Sequence, residues 1–519
     1  MNKLRFFLFA PLAFLAGGCM TGPDYAKPEM DLPDTWASER AGGEIDRTAD
    51  IASWWNTLND AQLDTLVQRS VENNHDVRIA AARVREARAA MGIANAALWP
   101  SLGVSGSYAR RQSAASPASG GSPVALGLAA GAAGLTPSIT VRGENGSLTA
   151  SSTNGLPGLS GTLSPGGGGP DRVTDLYQAG FDASWELDIF GGNRRAVEAA
   201  LAQTDAAEEF RRDVVVTLVA EVARQYVELR AAQRRLEITH KNIAAQATTV
   251  ELTQSRAQAG LASELDMIRA QALLASTQSQ VPLVETLVRS SIYRLSVLLG
   301  VTPGALIEEL KAARSMPEPP GEVPVGLPSD LLRRRPDIRQ AERELAASTA
   351  RIGVAMADLF PKFSLTGSFG GANGDLGSVL SGGSQIWSFG PGIRWPIFEG
   401  GRIRANIEVQ NARQEQALLT YEGQVLLAFE EVENGLVGFA QEQTRRQLLA
   451  EAVRANEEAV KLANERYVRG LDDFLNVLQA QQQLFLSEDS LVESDRAVLT
   501  NLVALYKALG GGWPVPEGQ

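Results

Sequence analysis

A duplicated stretch of sequence constrains the fold of this chain more than any other feature. The phrase "LWPSLGVSGSY", which contains Pro100, recurs 261 positions later as "LFPKFSLTGSF", which contains Pro361. Further along the chain, Phe190 matches Phe398 at an offset of only 208 positions, and Gly260 matches Gly470 at an offset of 210. The pattern indicates a tandem duplication whose first copy carries about 53 extra residues.

The extra residues fall in a segment of unusual composition, residues 112–172. No aromatic residue occurs between Tyr108 and Tyr177, and Gly, Ser, Ala, Thr and Pro fill the segment. Such a composition buries too little apolar surface to offset the entropy of ordering, so we expect a long flexible surface loop. A second break, residues 311–335, is rich in proline and is expected to link the two copies.

Two strands are predicted in each copy from the alternation of apolar and polar residues. In the first strand Leu102, Val104 and Tyr108 alternate with serines, and the second copy repeats this pattern from Lys362 to Phe369. The apolar positions of the second strands are Phe181, Ala183, Trp185, Leu187 and Ile189 in one copy and Trp387, Phe389, Ile393, Trp395 and Ile397 in the other. A period of two over roughly nine residues is typical of a half-buried strand and of a transmembrane β-strand.

We expect these four strands to face lipid. The alternative is a soluble hairpin packed on a core, but four strands separated by long helical stretches make a poor soluble sheet. Strand edges cannot stay unpaired in hydrocarbon, and four strands are too few to close around a pore, so a barrel must be shared between chains. The charged residues on the polar faces are candidates to face the lumen of such a barrel: Asp182, Glu186, Asp188 and Arg394.

A very long helix is predicted in the first copy. From Asn193 to Ala259, 67 consecutive residues include neither Gly nor Pro, and one helix of this length extends about 100 Å. Apolar residues recur at alternating spacings of four and three, which predicts coiled-coil packing. These seam residues are Val215, Val219, Val222, Tyr226 and Leu229, with Val425, Phe429, Val432, Leu436 and Phe439 as their counterparts. After Gly260 and Gly470 each copy is expected to turn back into a second helical run, which ends at Gly300 or Gly510.

The N-terminus has the layout of a secretory signal peptide. Lys3 and Arg5 precede an apolar stretch, and small residues follow it up to Cys19, the single cysteine. This cysteine resembles the lipid-modified residue of bacterial lipoproteins, although Leu15 lies four residues before it rather than the usual three. Met20 in the next position then indicates sorting to the outer membrane. The alternative is an incidental cysteine in an ordinary signal peptide.

These features together predict the domain organisation. It comprises a signal peptide (1–18), a lipid-anchored segment (19–60), a first repeat (61–310), the proline-rich linker (311–335), a second repeat (336–510) and a C-terminal tail (511–519). Each repeat is expected to contain a helix, two strands and a long helical hairpin. In the second repeat, Pro336 and Asp337 are predicted to begin a helix, because proline suits the first helical position and the carboxylate suits the helix dipole.

Composition argues against several classes of function. A net charge of -12 is unfavourable for binding nucleic acid. With one cysteine and two histidines, the chain has few of the residues that usually bind metal ions or transfer protons. The sequence has no P-loop, no His-Glu-x-x-His pair and no Gly-x-Ser-x-Gly elbow. We therefore expect no enzymatic activity, no cofactor and no bound metal.

Four stretches resemble a known family: "GPDYAKPEMDLPDTW", "WWNTLNDAQLDTLV", "LPSDLLRRRPDIRQAERELAASTARIGVAMADLFPKFSLTGSFG" and "WPIFEGGRIRA". They resemble the TolC-like outer-membrane factors, in particular the NodT-type lipoprotein subunits of resistance-nodulation-division efflux pumps. The resemblance implies an α+β membrane protein: a homotrimer with a shared twelve-stranded transmembrane β-barrel that continues into a long periplasmic α-helical barrel. It also implies docking onto an inner-membrane resistance-nodulation-division transporter through a periplasmic adaptor (membrane fusion) protein.

The resemblance further implies a gate at the periplasmic end of the helices, where aspartates often ring the aperture. The gate candidates of the second copy are Asp472, Asp473, Leu475, Asn476 and Gln479. Asn476 and Gln479 stand where relatives commonly have acids, so a carboxylate ring is expected to be weaker or to move to the two aspartates. In the first copy, Asp266 and Arg269 occupy the corresponding turn, and we hypothesise that they hold the closed tip through charge pairs. The alternative is that they are solvated charges of an ordinary turn.

The leading hypothesis is a passive duct that exports small toxic compounds or drugs across the periplasm and the outer membrane and is energised by its partner pump. A duct for type I protein secretion or for metal ions is the alternative within transport. A structural coiled-coil lipoprotein without a channel would account for the helices and Cys19, but it leaves the four amphipathic strands unexplained.

Overall fold

The computed structural model describes most of the chain. The described residues are 20–38, 44–45, 51–112, 124–127, 138–144, 147–152, 162–163, 173–321 and 323–513. The expected signal peptide (1–18) and Cys19 lie outside them, so acylation of Cys19 stays a prediction.

Helices account for most of the described residues. They are α1 (Ala61–Asn73), α2 (His75–Ala96), α3 (Gly192–Gln258), α4 (Glu264–Gln278), α5 (Gln280–Leu298), α6 (Ile307–Leu310), α7 (Leu331–Arg334), α8 (Pro336–Ala357), α9 (Arg402–Val468) and α10 (Phe474–Ala508). The strands are β1 (Glu44–Ile45), β2 (Ser101–Gln112), β3 (Val124–Gly127), β4 (Ser138–Glu144), β5 (Ser147–Ser152), β6 (Thr162–Leu163), β7 (Val173–Leu187), β8 (Val323–Pro324), β9 (Lys362–Asn373) and β10 (Gln385–Arg394). Short 3-10 helices cover Trp54–Leu58, Pro328–Asp330 and Leu376–Ser378.

The predicted duplication is confirmed by the bounds of these elements. Helices α2 and α8 both contain 22 residues and lie 261 positions apart. Strands β2 and β9 both contain 12 residues at the same offset. Helices α3 and α9 both contain 67 residues and lie 210 positions apart. The offset changes because the first copy holds the glycine-rich insertion between its two strands.

The chain divides into two compact units, which are described separately. The first consists of Met1–Tyr25, Ala89–Leu201 and Ala347–Gln414, and the second of Ala26–Arg88, Ala202–Ala346 and Glu415–Gln519. The first unit holds the long strands, and the second holds most of the length of the long helices.

A four-stranded antiparallel sheet dominates the first unit. Its strand order is β10-β9-β7-β2, so the hairpins of the two copies lie side by side. The hairpins also share one register, because Ser101 lies opposite Ser184 in the first and Lys362 lies opposite Arg394 in the second. The four predicted strands are therefore confirmed.

Both second strands end earlier than the alternation of apolar residues suggests. Strand β7 ends at Leu187, where the N–H of Ile189 turns back to donate to the carbonyl of Leu187 at 2.8 Å. Strand β10 ends at Arg394, so Trp395 and Ile397 lie beyond it. The proline at position 396 has no N–H to donate and is suited to a strand end.

The glycine-rich segment 112–172, expected to be a flexible loop, contains strands. Strands β3, β4, β5 and β6 form a second antiparallel sheet in that order. Sequences such as "SITVRGE" and "SLTASS" contain Ile, Val and Thr, which favour strands even where the overall composition is poor in large apolar residues. The expectation was based on overall composition and so missed this local preference.

The second unit is built on the long helices, and the predicted helix from Asn193 to Ala259 is confirmed as α3, with each end shifted by one residue. Most of the seam residues are buried in one cluster, in which Val219, Tyr226, Val425 and Phe439 are fully buried. Val215 and Phe429 are partly buried at its border. The coiled-coil spacing therefore marks the core of this unit, as predicted.

Glycines end the long helices at the predicted places. Gly260 and Gly470 follow α3 and α9, and Gly300 and Gly510 follow the returning helices α5 and α10, each with φ between +70° and +76°. Left-handed backbone at a helix end favours glycine, because a side chain would crowd the carbonyl that follows it.

The two returning helices differ in continuity. In the first copy the helical run is interrupted at Ser279, between α4 and α5, whereas α10 is continuous. Pro282 explains the interruption, because it has no N–H to donate to the carbonyl four residues earlier.

The boundary before α8 is more ordered than a linker. It contains β8, a 3-10 helix and α7, and α8 begins at Pro336 as predicted. Arg335 is almost fully buried, donates to the carbonyl of Ala508 at 2.9 Å and forms ion pairs with Asp337 and Glu431, both at 2.6 Å. Burial alone raises the pKa of Asp337, but the hydrogen bonds and charge of Arg335 outweigh it and hold that pKa below its ordinary value.

The equivalent boundary in the first copy uses different chemistry. Asn74 occupies the position equivalent to Arg335, and its side-chain amide donates to the carbonyl of Leu298 at 2.9 Å. Its side-chain oxygen accepts from the N–H groups of Asp76 and Val77, which caps α2. A neutral amide and a paired guanidinium thus close the same turn in the two repeats.

Candidate functional site

The sheet of the first unit has one continuous apolar face. Along one line of the register, Val104 lies opposite Phe181, Phe181 opposite Phe369, and Phe369 opposite Trp387. All four side chains are more than half exposed. The residues that share this face include Leu102, Tyr108, Trp185, Leu187, Phe363, Leu365, Phe389 and Ile393. Soluble monomers rarely leave so large an apolar surface uncovered, so this face is suited to lipid.

The opposite face of the sheet is polar, as the alternation predicts. Ser105 donates to the carboxylate of Asp182 at 2.9 Å, and the hydroxyls of Ser368 and Ser388 lie 2.8 Å apart. Glu186 and Arg394 share this face and are exposed. The face can therefore line an aqueous space.

Asp188 differs from the other residues predicted to face a lumen. It lies one residue beyond β7, and its carboxylate accepts from the N–H groups of Asn193 and Arg194, at 3.1 and 2.8 Å. It also forms an ion pair with the guanidinium of Arg194. The carboxylate thus caps the start of α3. Negative charge is favourable there because of the helix dipole.

The edges of this sheet are open. In the part of the chain that the structure describes, β2 and β10 each pair along one side only. Each carries a row of backbone N–H and C=O groups with no strand beside it. An apolar face flanked by two unpaired edges cannot rest in a bilayer as a single chain, because unpaired backbone groups are costly in hydrocarbon.

Tryptophans fix the junctions between helix and strand in both repeats. The indole N–H of Trp185 donates to the carbonyl of Leu98, and that of Trp395 donates to the carbonyl of Leu359, both at 3.0 Å. The two acceptors stand at the start of the duplicated phrase, two residues before its proline. The duplicated phrase therefore marks the point at which a helix ends and a strand of the sheet begins.

The segment that follows Cys19, residues 20–24, is bound to the first unit. Arg195 is almost fully buried, and its guanidinium donates to the carbonyls of Thr21 and Gly22, at 3.0 and 3.3 Å, and to Asp24 at 2.6 Å. The N–H of Thr21 donates to the carbonyl of Phe190 at 3.1 Å. Met20, the residue next to the predicted acylation site, is thereby placed beside the end of β7.

A contact between glycines allows this segment to approach closely. A Cβ at Gly22 would lie 2.4 Å from the Cα of Gly353, and Gly22 has φ +89°. A Cβ at Gly353 would lie 2.7 Å from the carbonyl oxygen of Thr21. Neither position leaves space for a side chain. Sequence reasoning missed this binding site, although both glycines lie in stretches that carry the family resemblance.

The predicted gate residues of the second copy lie in the turn between α9 and α10. Asp472 accepts from Asn476 at 2.5 Å and from Arg466 at 3.0 Å, and these hydrogen bonds lower its pKa. Asp473 caps α10 by accepting from the N–H of Leu475 at 3.1 Å. The structure thus brings Asp472 and Asn476 together, while the side chain of Gln479 is exposed on the next turn of the helix.

The corresponding turn of the first copy is held by a capping box. Ser263 accepts from the N–H of Leu265, and Asp266 accepts from the N–H of Ser263. Arg269 is exposed, and within the described ranges no ion pair joins it to another side chain. Charge pairing by Asp266 and Arg269 stays a hypothesis, because it concerns contacts with neighbouring copies of the chain.

Three residues that sequence reasoning missed hold the two turns together. The guanidinium of Arg256 lies 4.7 Å from the ring centre of Tyr467, and the same group donates to the carbonyl of Val468 at 3.1 Å. The ring of Tyr467 in turn packs against Phe474, with 5.3 Å between centroids. Arg256 lies in the last turn of α3, where a cation suits the helix dipole. Its position at the end of the helix was the one sequence feature that could have singled it out.

Neither metal clusters nor membrane-spanning helices occur among the described residues. No group of three or more His, Cys, Asp or Glu side chains is arranged there to hold a metal ion. None of the helices described is both long enough and apolar enough to cross a membrane.

Comparison with known proteins identifies the family. The family model described as "Outer membrane efflux protein" matches residues 66–301 and 327–511, which is most of the chain. The chain belongs to this family. As an outer membrane efflux protein it is a member of a family of channel proteins, and its location is the outer membrane.

Individual outer membrane efflux proteins match over nearly their whole length. Nodulation protein T of Rhizobium leguminosarum bv. trifolii is 32% identical over 501 residues, which cover 96% of this chain and 96% of that protein. Solvent efflux pump outer membrane protein SrpC of Pseudomonas putida is 33% identical over 508 residues, which cover 97% of each. The solved structure of the outer-membrane channel OprN superposes with a TM-score of 0.79 at 33% identity and covers 95% of this chain and 100% of its own.

Proposed function

We propose that this outer membrane efflux protein works as a homotrimer and forms the outer duct of a tripartite pump. The sheet of the first unit carries the proposal, because it combines an exposed apolar face, a polar face and two open edges. Three copies that each contribute four strands would close a twelve-stranded barrel, which removes every open edge. The long helices would extend this barrel into the periplasm as a helical barrel.

The polar face of the sheet would line the barrel. Asp182 and Glu186 would then place negative charge in the lumen, and Arg394 would place positive charge near its periplasmic end. An excess of carboxylates at such a surface favours the passage of cations. Asp188 caps a helix and would contribute less to the lumen.

The domain organisation expected from the sequence is part of this proposal. Cleavage after residue 18 would leave Cys19 as the acylated N-terminus, and the adjoining residues 20–24 would hold that lipid anchor beside the end of β7. This arrangement suits an anchor in the inner leaflet of the outer membrane, because β7 belongs to the sheet with the apolar face.

The turns at the far ends of the long helices would form the periplasmic gate. We assign the closed state to the contacts of Asp472 with Arg466 and Asn476, and to charge pairs that Asp266 and Arg269 make with neighbouring copies. Arg269→Ala should then raise the conductance of trimers in planar bilayers, while Arg289→Ala, which removes an exposed arginine of α5 away from this turn, serves as the control. Conductance of Arg269→Ala equal to that of the parent would remove Arg269 from the gate.

A periplasmic adaptor and an inner-membrane resistance-nodulation-division transporter would supply the energy, and the duct itself would perform no catalysis. Small toxic organic compounds are the proposed cargo. Relatives named for solvent, toluene and antibiotic efflux support this cargo class.

The test combines oligomeric state with channel activity. We expect the full chain, extracted from outer membranes, to migrate as a trimer without heating and as a monomer after heating, and to give discrete conductance steps in planar bilayers. A monomer under mild extraction, or trimers that never conduct in any variant, would contradict the proposed duct.

A further inference from the structure

A stripe of buried polar residues runs along the later part of α3. Asn242, Gln246, Thr249 and Thr253 recur at spacings of four, three and four residues, and all four side chains are buried. In the second repeat, the positions 210 residues later hold alanine in three of the four cases and Asn456 in the place of Gln246. The polar stripe is therefore particular to the first repeat.

Three members of the stripe are paired within the chain. The side-chain amide of Asn242 donates to the carboxylate of Glu488 at 2.7 Å, and the hydroxyl of Thr249 accepts from the side-chain amide of Gln481 at 2.8 Å. The hydroxyl of Thr253 donates to the carbonyl of Thr249 at 2.8 Å. The first two of these hydrogen bonds join α3 to α10.

Gln246 is the exception in this stripe. Its side chain is only 3% exposed, yet neither its Nε2 nor its Oε1 has a hydrogen-bond partner among the described residues. Asn456, the equivalent residue of the second repeat, donates to the hydroxyl of Ser487 at 2.7 Å. Buried polar groups are normally paired, because an unpaired group loses its hydration without compensation. The chain supplies a partner to Asn456 but none to Gln246.

Gln246 lines a cavity of about 370 Å³ within the second unit, between α3, α9 and α10. This volume is at the lower end of the range for pockets that bind small molecules. Asn464, which is half-buried, contributes a second side-chain amide to the lining. Thr248 and Val468 also line the cavity and are exposed, so a molecule can enter it from solvent.

The lining of the cavity selects the chemistry of a ligand. No charged side chain belongs to it in the part of the chain that the structure describes, so an ionic ligand would lose its hydration without gaining a counterion. Leu252, Val460 and Leu484 supply apolar walls, whereas an ordered water needs several polar partners. The donor and the acceptor of the Gln246 side chain complement a second amide, which offers one acceptor and one donor.

We propose that this cavity binds a small neutral organic molecule that carries a carboxamide or urea group. The carbonyl of the ligand accepts from Nε2 of Gln246, its N–H donates to Oε1 of the same side chain, and its apolar part packs against Val460 and Leu484. A bound ligand would thereby join α3 to α9 and α10. The site lies within one chain, so it depends neither on the number of copies nor on the proposed duct.

Saturation-transfer NMR tests the site in the full-length protein in detergent, with benzamide as the ligand. Toluene has the same ring without the amide, and benzoate carries a negative charge in place of the amide. We expect the parent protein to bind benzamide saturably and about tenfold more tightly than toluene, because only benzamide pairs with the buried side chain of Gln246. Benzoate should not displace benzamide. Micelles without protein measure the partitioning of each compound into detergent.

Gln246→Leu should reverse this preference. Benzamide should bind about tenfold more weakly, whereas toluene should bind at least as tightly as before, because the cavity keeps its shape and becomes apolar. Gln254→Leu makes the same substitution at an exposed glutamine of α3 and is the matched control, which should behave as the parent. Gln246→Leu should also keep the helical circular dichroism signal of the parent, and its loss would contradict the unpaired state of this amide.

A second variant approaches the cavity from α9. Val460→Trp fills part of the space and should weaken the binding of both benzamide and toluene. The absence of saturable benzamide binding to the parent would overturn the proposal, because the cavity would then hold only water. Equal affinity of the parent and Gln246→Leu for benzamide, or displacement of benzamide by benzoate, would overturn it as well. These outcomes leave the proposed duct untouched.

Discussion

Removal of the Arg195 guanidinium should release the segment that follows the predicted acylation site. Arg195→Ala deletes the donors to the carbonyls of Thr21 and Gly22 and to the carboxylate of Asp24. The backbone bond from Thr21 to Phe190 and the close approach of the glycines would remain. The segment should therefore open more often while the rest of the first unit stays folded.

The size of the effect follows from these contacts. Each hydrogen bond from the charged guanidinium to these partly buried carbonyls contributes about 1.5 kcal/mol. The ion pair with Asp24 adds little, because the side chain of Asp24 is 90% exposed. The total of about 3 kcal/mol corresponds to an increase of about 100-fold in the open fraction of the segment.

Hydrogen exchange followed by mass spectrometry measures this fraction in peptides that contain residues 20–24. The matched control is Arg404→Ala, because Arg404 is the counterpart of Arg195 in the second repeat and is exposed. We expect faster exchange of the segment in Arg195→Ala and no change in Arg404→Ala. Unchanged exchange in Arg195→Ala, or equal acceleration in both variants, would refute this account of how the segment is held.

Four further substitutions test the helical unit by denaturant unfolding followed by circular dichroism. Arg335→Ala should lower the free energy of unfolding by about 3 kcal/mol, because it removes the charged partner of the partly buried carboxylate of Asp337. Asn74→Ala at the equivalent position should cost only about 1–2 kcal/mol. Equal losses from the two variants would contradict this reasoning. Burial, and then the charge of Asp337, raise the pKa of Asp213, so its charged form is disfavoured in the folded state. Asp213→Asn should therefore stabilise the protein at neutral pH and lose that advantage below about pH 4, where the carboxyl is protonated in both states; a gain that persists in acid would exclude this cause. Gly470→Ala should cost about 1–2 kcal/mol because a side chain is strained at φ +70°, and an unchanged stability would show that the turn relaxes.

The parts of the fold that could be predicted from the sequence depend on periodicity. The alternation in the four strands places Val104, Phe181, Phe369 and Trp387 on one face, and the register aligns them without a slip. The spacing of the seam residues likewise identified the core of the second unit, because helical packing requires apolar residues at that interval. The length of α3 followed from the absence of Gly and Pro, whereas α9 includes Gly423, Gly435 and Gly438, and its helical run was expected from the repeat.

Contacts between distant segments could not be predicted in the same way. Arg195 and Arg335 are both buried arginines held by specific partners, yet their local sequence resembles that of exposed helical arginines. Asp188 continued the alternation of β7, but it caps α3, because the chain turns one residue before it. In each case the decisive partner lies on another element or beyond the end of a strand, where a periodic pattern carries no information.

Accumulation of exported compounds in cells tests the central claim most directly. Deletion of this chain should raise the intracellular level of at least one class of dye, solvent or antibiotic in a panel that also includes metal ions, and expression of the full chain from a plasmid should restore the original level. Unchanged accumulation of every compound in the panel would contradict the account of this protein as an efflux duct.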